Sequence, residues 1–262
     1  MPTLAANLSF LYQELPAAER WAAARADGFR ACEILFPYAE SAAPLAVRLQ
    51  SLDLHLALFN APAGDWSAGD RGLACLPSRR DEFRSGLLQA LDYAAATGTQ
   101  RLHVMAGVPA AGLPPEAAQD CYLEQLRWAA EQVGDGDLRL CIEPINGIDM
   151  PGYFLHSQAQ AHALLDLLRD DRVLLQFDAY HCQRSEGEVL HKLRQAFERG
   201  RLGHVQIAGA PDRHEPDRGE LRVEALLQAL DDWGYTGHVG CEYRPAATTR
   251  EGLGWARPWL KP

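Results

Sequence analysis

Short apolar runs alternate with amphipathic stretches along the whole chain. The apolar runs are LAANL from Leu4, ACEILF from Ala31, HLALFN from His55, RLHVMAG from Arg101, RLCIEPIN from Arg139, VLLQFDAYH from Val173, GHVQIAG from Gly203 and HVGCEY from His238. Between them lie helical patterns, such as the stretch from Arg80 to Thr97 with its apolar positions on one face. This repeat predicts an α/β protein, a (β/α)8 TIM barrel that forms a single domain over residues 1–262.

An open, doubly wound sheet is the alternative architecture. Helical crossovers imply parallel strands in both folds. Doubly wound sheets usually carry a glycine-rich phosphate loop after the first strand. Here the first strand runs into NLSFLY, which contains no glycine. The barrel is therefore favoured, and it brings all strand ends to one mouth.

Four strands in the second half of the chain end in a polar residue that can bind a metal. These residues are Glu143 in LCIEPIN, Asp178 in LLQFDAYH, Gln206 in GHVQIAG and Glu242 in VGCEY. Their oxygen ligands suit a hard divalent cation, Mg²⁺ or Mn²⁺, better than zinc. Without a cation, three carboxylates in one pocket would repel one another. Any single one of them is equally typical of a helix cap or a solvated loop.

Further polar residues are candidates for binding a substrate beside that cation. His181 follows Asp178 closely and can donate a hydrogen bond to a substrate oxygen. Arg213 and Arg71, in the loops after the seventh and third strands, are candidates for binding a carboxylate. The alternative interpretations are a surface histidine for His181, a solvated loop charge for Arg213 and a salt bridge within the loop for Arg71. Weaker candidates, each equally explained as a cap or a core hydrogen-bonding group, are Asn7, Asn60 and His103.

Composition narrows the classes of function. The chain has 262 residues, of which 47% are hydrophobic, enough for one core. Its net charge of −10 argues against a nucleic-acid partner. Six cysteines are spread singly without a CxxC pair, as expected of buried thiols in a reducing compartment. With no signal-like N-terminus and no long apolar run, we expect a cytoplasmic protein without a membrane segment.

Long motifs in this sequence resemble the hydroxypyruvate isomerase family, part of the wider xylose isomerase-like barrels. The motifs are NLSFLY, GFRACEILFPY, LFNAPAGDWSAGDRGLA, CIEPINGIDMPGYFL, FDAYHCQ, GHVQIAGAPDRHEP and GYTGHVGCEYRPA, and they extend over nearly the whole chain. The resemblance implies that Glu143 and Glu242 are the acid/base pair, and that with Asp178 and Gln206 they surround a divalent ion. Sugar epimerases of the same superfamily commonly have histidine where this chain has Gln206, which implies weaker metal retention here.

The same resemblance implies an isomerase that interconverts hydroxypyruvate and tartronate semialdehyde through a metal-stabilised enediolate. The partner is then a small anionic hydroxy-keto acid. A 2-oxo-tetronate isomerase, which shares these motifs, and a sugar epimerase are the alternatives, followed by a non-catalytic sugar-binding barrel. A nuclease acting on abasic DNA is disfavoured by the charge and by too few matched histidines. The number of subunits is open, a homo-oligomer included.

Overall fold

Eight parallel strands close into one barrel in the order of the sequence. The structure is a computed structural model that describes residues 2–260. The strands are β1 Thr3–Asn7, β2 Ala31–Ile34, β3 His55–Asn60, β4 Arg101–His103, β5 Arg139–Ile142, β6 Val173–Asp178, β7 Leu202–Ile207 and β8 His238–Cys241. Each pairs with the next, and β8 pairs with β1. The predicted (β/α)8 barrel is confirmed, and the open sheet is excluded.

Helices cover the outside of the barrel. They are α1 Ala17–Ala26, α2 Ala42–Ser51, α3 Arg80–Thr97, α4 Pro115–Val133, α5 Gln158–Leu168, α6 Ala179–Ser185, α7 Val189–Glu198, α8 Val223–Asp232 and α9 Thr249–Gly252, with short 3₁₀ turns at Pro77–Arg79 and Leu253–Ala256. The predicted bounds of α3 are confirmed, and the helix ends because Gly98 adopts the left-handed conformation at φ 70°. Among residues 2–260, no helix is both long and apolar enough to span a bilayer.

Inside the barrel, a layer of small residues is followed, towards the carboxyl ends of the strands, by polar residues. Ala5, Ala31 and Ala57 form a separate buried cluster. Two residues further along their strands, Asn7 and Glu33 are also fully buried and, by the alternation of a strand, face the same way. The larger apolar side chains pack in one continuous core with the helices. All six cysteines are free and buried, as expected.

Candidate active site

A cavity of about 550 Å³ lies at the mouth formed by the carboxyl ends of the strands. Seven of the predicted site residues line it: Asn60, Arg71, His103, Glu143, His181, Arg213 and Glu242. Asp178, Gln206 and Asn7 are not among the residues that line it, and all three are buried. Glu143 and Glu242 directly follow β5 and β8, and Asp178 is the last residue of β6. The barrel geometry thus brings Glu143 and Glu242 to one cavity and places Asp178 beside Glu143.

Glu143, Asp178 and His181 form a buried group that can hold a metal ion. One ligand atom from each lies within 4.8 Å of the others. Asp178 uses Oδ1 to cap α6, accepting hydrogen bonds from the backbone N–H groups of Tyr180 and His181. Its Oδ2 is buried and has no hydrogen-bond donor. A buried carboxylate oxygen is rarely left unpaired, so this position fits a cation.

His181 is oriented as a hydrogen-bond donor to these carboxylates. Asn146 accepts the backbone N–H groups of Ile148 and Asp149 with Oδ1, which leaves its Nδ2 to donate to His181 Nδ1 at 2.6 Å. The single proton of the neutral ring is then on Nε2, 3.6 Å from Asp178 Oδ2. Burial and Arg213 lower the pKa of His181 well below its ordinary value. The ring is therefore neutral and presents an N–H to the site.

Arg213 lies across the mouth and pairs with Glu242. Its Nη2 is 2.8 Å from Glu242 Oε1 and 3.8 Å from Asp178 Oδ2. The guanidinium carbon is 4.9 Å from the ring centres of both Phe10 and Tyr180. Two aromatic faces and a carboxylate therefore hold the cation in place, as cation–π geometry favours.

The two glutamates have strongly raised pKa values. Burial, Glu242 and Asp178 raise the pKa of Glu143 well above its usual range. Burial raises the pKa of Glu242 to about 8, although Arg213 acts in the opposite direction. Desolvation and the mutual repulsion of the clustered carboxylates outweigh the opposing effect of Arg213. Both carboxyl groups therefore favour the protonated form more than an ordinary glutamate does.

Residues 21–259 match the family model of the xylose isomerase-like TIM barrels. The chain belongs to this family. It is 49% identical over 260 residues to a 2-oxo-tetronate isomerase of Cupriavidus necator, covering 99% of both chains. It is 40% identical over 259 residues to a hydroxypyruvate isomerase of Escherichia coli, covering 99% of this chain and 100% of the relative. These names confirm the predicted enzyme class, an isomerase.

Solved structures agree on the fold. A crystal structure titled AP endonuclease, family 2, from Brucella melitensis has a TM-score of 0.96 at 40% identity, with both chains covered completely. A 3-keto-D-glucoside 4-epimerase from E. coli has a TM-score of 0.78 at 19% identity and covers 98% of this chain and 99% of its own. At that identity the likeness concerns the barrel alone.

Glu33 is a polar residue of this xylose isomerase-like barrel that the sequence analysis missed. Its Oε1 contacts His204 Nε2, and its Oε2 accepts hydrogen bonds from Asn7 Nδ2 at 3.2 Å and Gln206 Nε2 at 2.9 Å. Gln206 Oε1 in turn accepts from Gln176 Nε2 at 2.7 Å. Glu33 therefore fixes which way the Gln206 amide points. The available signal was a glutamate inside the apolar run ACEI.

The weaker candidates occupy different environments. Asn7 is committed to Glu33 and to the Ser9 N–H, below the cavity. Asn60 Oδ1 lies 3.2 Å from His103 Nδ1, which is also 3.6 Å from Glu143 Oε2. Burial and His204 lower the pKa of His103 to about 3, so this ring is neutral. Asn60 and His103 therefore lie beside Glu143 on the β3–β4 side of the cavity.

Arg71 lies at the rim, in the long loop after β3. Its Nη1 donates to the backbone oxygens of Trp66 and Asp70, and its guanidinium carbon is 4.1 Å from the centre of the Trp66 ring. The salt bridge within this loop is formed not by Arg71 but by Arg79, which lies 2.6 Å from Asp70. In the described chain Arg71 forms no ion pair, so its charge faces the cavity uncompensated.

Proposed function

We propose that this chain interconverts hydroxypyruvate and tartronate semialdehyde, two isomers of one small anionic acid. The observation that carries the proposal is the pair of buried carboxyl groups, Glu143 and Glu242, which face one cavity from β5 and β8 and have raised pKa values. Groups that hold and release a proton near neutral pH are suited to general acid and base catalysis.

The reaction moves one proton between adjoining carbons. One glutamate removes a proton from the hydroxymethyl carbon of hydroxypyruvate, and a proton is returned to the neighbouring carbon. A second proton passes from the hydroxyl oxygen to the former keto oxygen, so atoms and charge balance. The Nε2–H of His181 donates to the oxygen on which negative charge develops. Glu143 and Glu242 are assigned as the acid/base pair, in either order.

The carboxylate of the substrate is bound by arginine. Arg71 presents a guanidinium without a carboxylate partner, and Arg213 is held over the cavity between two aromatic rings. Arg71 is suited to bind the substrate carboxylate at the rim of the cavity, because its charge is unpaired. Arg213 acts closer to the reacting carbons, since it already contacts Glu242. Bidentate pairing would fix the substrate in one orientation.

We assign the metal site to Glu143, Asp178, Gln206 and Glu242, holding Mg²⁺ or Mn²⁺. The unpaired Asp178 Oδ2 and the oxygen-rich donor set support a hard ion. Gln206 Oε1 has a second lone pair beside the one that accepts from Gln176. When bound, the ion polarises the substrate carbonyl and offsets developing negative charge. The tautomer of His181 favours a donor role over metal ligation.

A 2-oxo-tetronate is the second candidate substrate. The 49% identity to the Cupriavidus necator relative favours it, and a cavity of about 550 Å³ has room for a fourth carbon. We place the reaction in the cytoplasm and expect no nucleic-acid partner; a homo-oligomer remains a prediction. A sugar epimerase would act through the same glutamates on a larger, uncharged substrate, which would leave Arg71 without a carboxylate partner.

Proton NMR in deuterated solvent tests the proposal. Hydroxypyruvate and 2-oxo-tetronates are supplied separately, at matched concentrations, to the Mg²⁺-loaded protein. We expect conversion and incorporation of solvent deuterium at carbon, with the faster substrate identifying the physiological class. Binding of either acid without isomer or deuterium exchange would reduce the chain to a binding protein and overturn the proposal.

A further inference from the structure

A second cavity, of about 370 Å³, lies at the opposite end of the barrel. The beginnings of four strands bring basic side chains to it: His55 on β3, Arg101 on β4, His204 on β7 and His238 on β8. The proposed acid/base pair lies at the other ends of the strands. This cavity is therefore separate from the candidate active site.

Its lining carries positive charge without acidic residues. The chain as a whole has a net charge of −10, yet no aspartate or glutamate lines this cavity. Arg101 Nε and Nη1 donate to the backbone oxygens of Gly203 and Gln100, both at 2.8 Å. Within residues 2–260 Arg101 forms no ion pair, and its Nη2 has no hydrogen-bond partner. The guanidinium is thus anchored while its charge is left uncompensated.

Two imidazoles complete the arrangement. The rings of His55 and His238 are stacked, with centres 5.0 Å apart and an angle of 23° between them. Burial and Arg101 lower the pKa of His55, and burial, His55, His204 and Arg101 lower the pKa of His238 to about 4. These basic groups therefore disfavour charge on one another. His204 is already engaged, because its Nε2 contacts Glu33.

We propose that this cavity binds a small oxyanion of two or more negative charges, held by Arg101, His55 and His238. An oxyanion can accept from the unused Nη2 of the arginine and from an imidazole N–H, and its charge would offset that of Arg101. Phosphate and polycarboxylates share this chemistry. Neither the active-site assignment nor the proposed reaction is needed for this inference.

Titration of the imidazole NMR signals with inorganic phosphate, and separately with citrate, tests the proposal. We expect the His55 and His238 signals to shift to saturation, while exposed His156 and His191 serve as internal references. The Arg101→Gln variant should bind at least tenfold more weakly. Arg213→Gln, which removes a cation at the other mouth, should bind as the parent does. The anion that binds more tightly identifies whether the cavity takes a phosphate or a polycarboxylate.

Two outcomes would overturn the site. One is a shift of His55 and His238 that is linear and equal to that of His191, which indicates general screening. The other is loss of saturable binding in Arg213→Gln and its retention in Arg101→Gln, which moves the anion to the active-site mouth. If Arg101→Gln does not fold, His55→Gln replaces it, since the His55 side chain forms no hydrogen bond in the described chain.

Discussion

Gly240 on β8 leaves the space that the carboxylate of Glu33 on β2 occupies. A Cβ atom built at Gly240 would overlap both carboxylate oxygens of Glu33. The two strands are not neighbours in the sheet, because β1 lies between them. The glutamate therefore reaches across the inside of the barrel, where it holds Gln206, Asn7 and His204.

We expect Gly240→Ala to destabilise the protein. The added methyl group must displace a fully buried carboxylate with three partners, and overpacking of this kind costs about 1–3 kcal/mol. The free energy of unfolding in urea measures the effect. Gly254→Ala is the matched control, because a Cβ there meets nothing within 4 Å. Equal stability of the two variants would contradict the packing argument.

Glu143→Gln and Glu242→Gln should each abolish isomerisation and leave the fold intact. Glutamine keeps the size and the buried hydrogen-bonding character of the side chain but cannot exchange a proton, a loss on the order of 10²–10⁴-fold in turnover. Turnover by NMR and unfolding in urea are measured on the same samples. Glu116→Gln, at an exposed position of α4, is the control. Near-normal turnover in either active-site variant would remove the acid/base assignment.

Binding of Mg²⁺ at pH 7 should release protons. The pKa of Glu242 is raised to about 8 and that of Glu143 is raised well above its usual range, so both carboxyls favour the protonated form more than ordinary glutamates do. An ion requires the deprotonated ligands. Calorimetric Mg²⁺ titrations in two buffers of different ionisation enthalpy count the protons. We expect fewer protons to be released by Glu242→Gln than by the parent. Identical heats in both buffers would refute the raised pKa values.

Glu33→Gln should weaken Mg²⁺ binding about 10- to 100-fold, as is usual when a group that orients a metal ligand is lost. The substituted amide no longer accepts two N–H groups strongly, so the orientation of the Gln206 amide is no longer fixed. Calorimetry measures the affinity directly. A merely structural role would lower the free energy of unfolding without changing metal affinity, and that result would remove Glu33 as a positioning residue.

The sequence was sufficient for the barrel and for the strand-end carboxylates, because both follow from a local alternation of apolar and polar residues. Asp178 shows where local reasoning stops: its Oδ1 caps α6, as one interpretation of the residue predicts, while its Oδ2 accepts no hydrogen bond, so its role as a metal ligand stays a prediction. Glu33 could not be assigned, because its partners are 26 to 173 positions away in the chain. The tautomer of His181 depends on Asn146, which no pattern near His181 indicates.

Loss of stability in acid should depend on His238. Its folded-state pKa is about 4, below the ordinary 6.5, because burial and the neighbouring His55, His204 and Arg101 disfavour the charged ring. Between these two values the unfolded chain takes up a proton that the folded chain does not. The stabilisation is therefore complete above pH 6.5 and is lost as the pH falls towards 4.

We expect His238→Gln to lose less stability than the parent between pH 7 and pH 5, because glutamine does not titrate. Unfolding in urea at both pH values gives the difference, and exposed His156→Gln should behave as the parent. Phosphate should reduce the stability that the parent loses between pH 7 and pH 5, since a bound anion favours the protonated ring. It should not reduce the loss in His238→Gln. Parallel losses in all three proteins would show that His238 is not buried against positive charge.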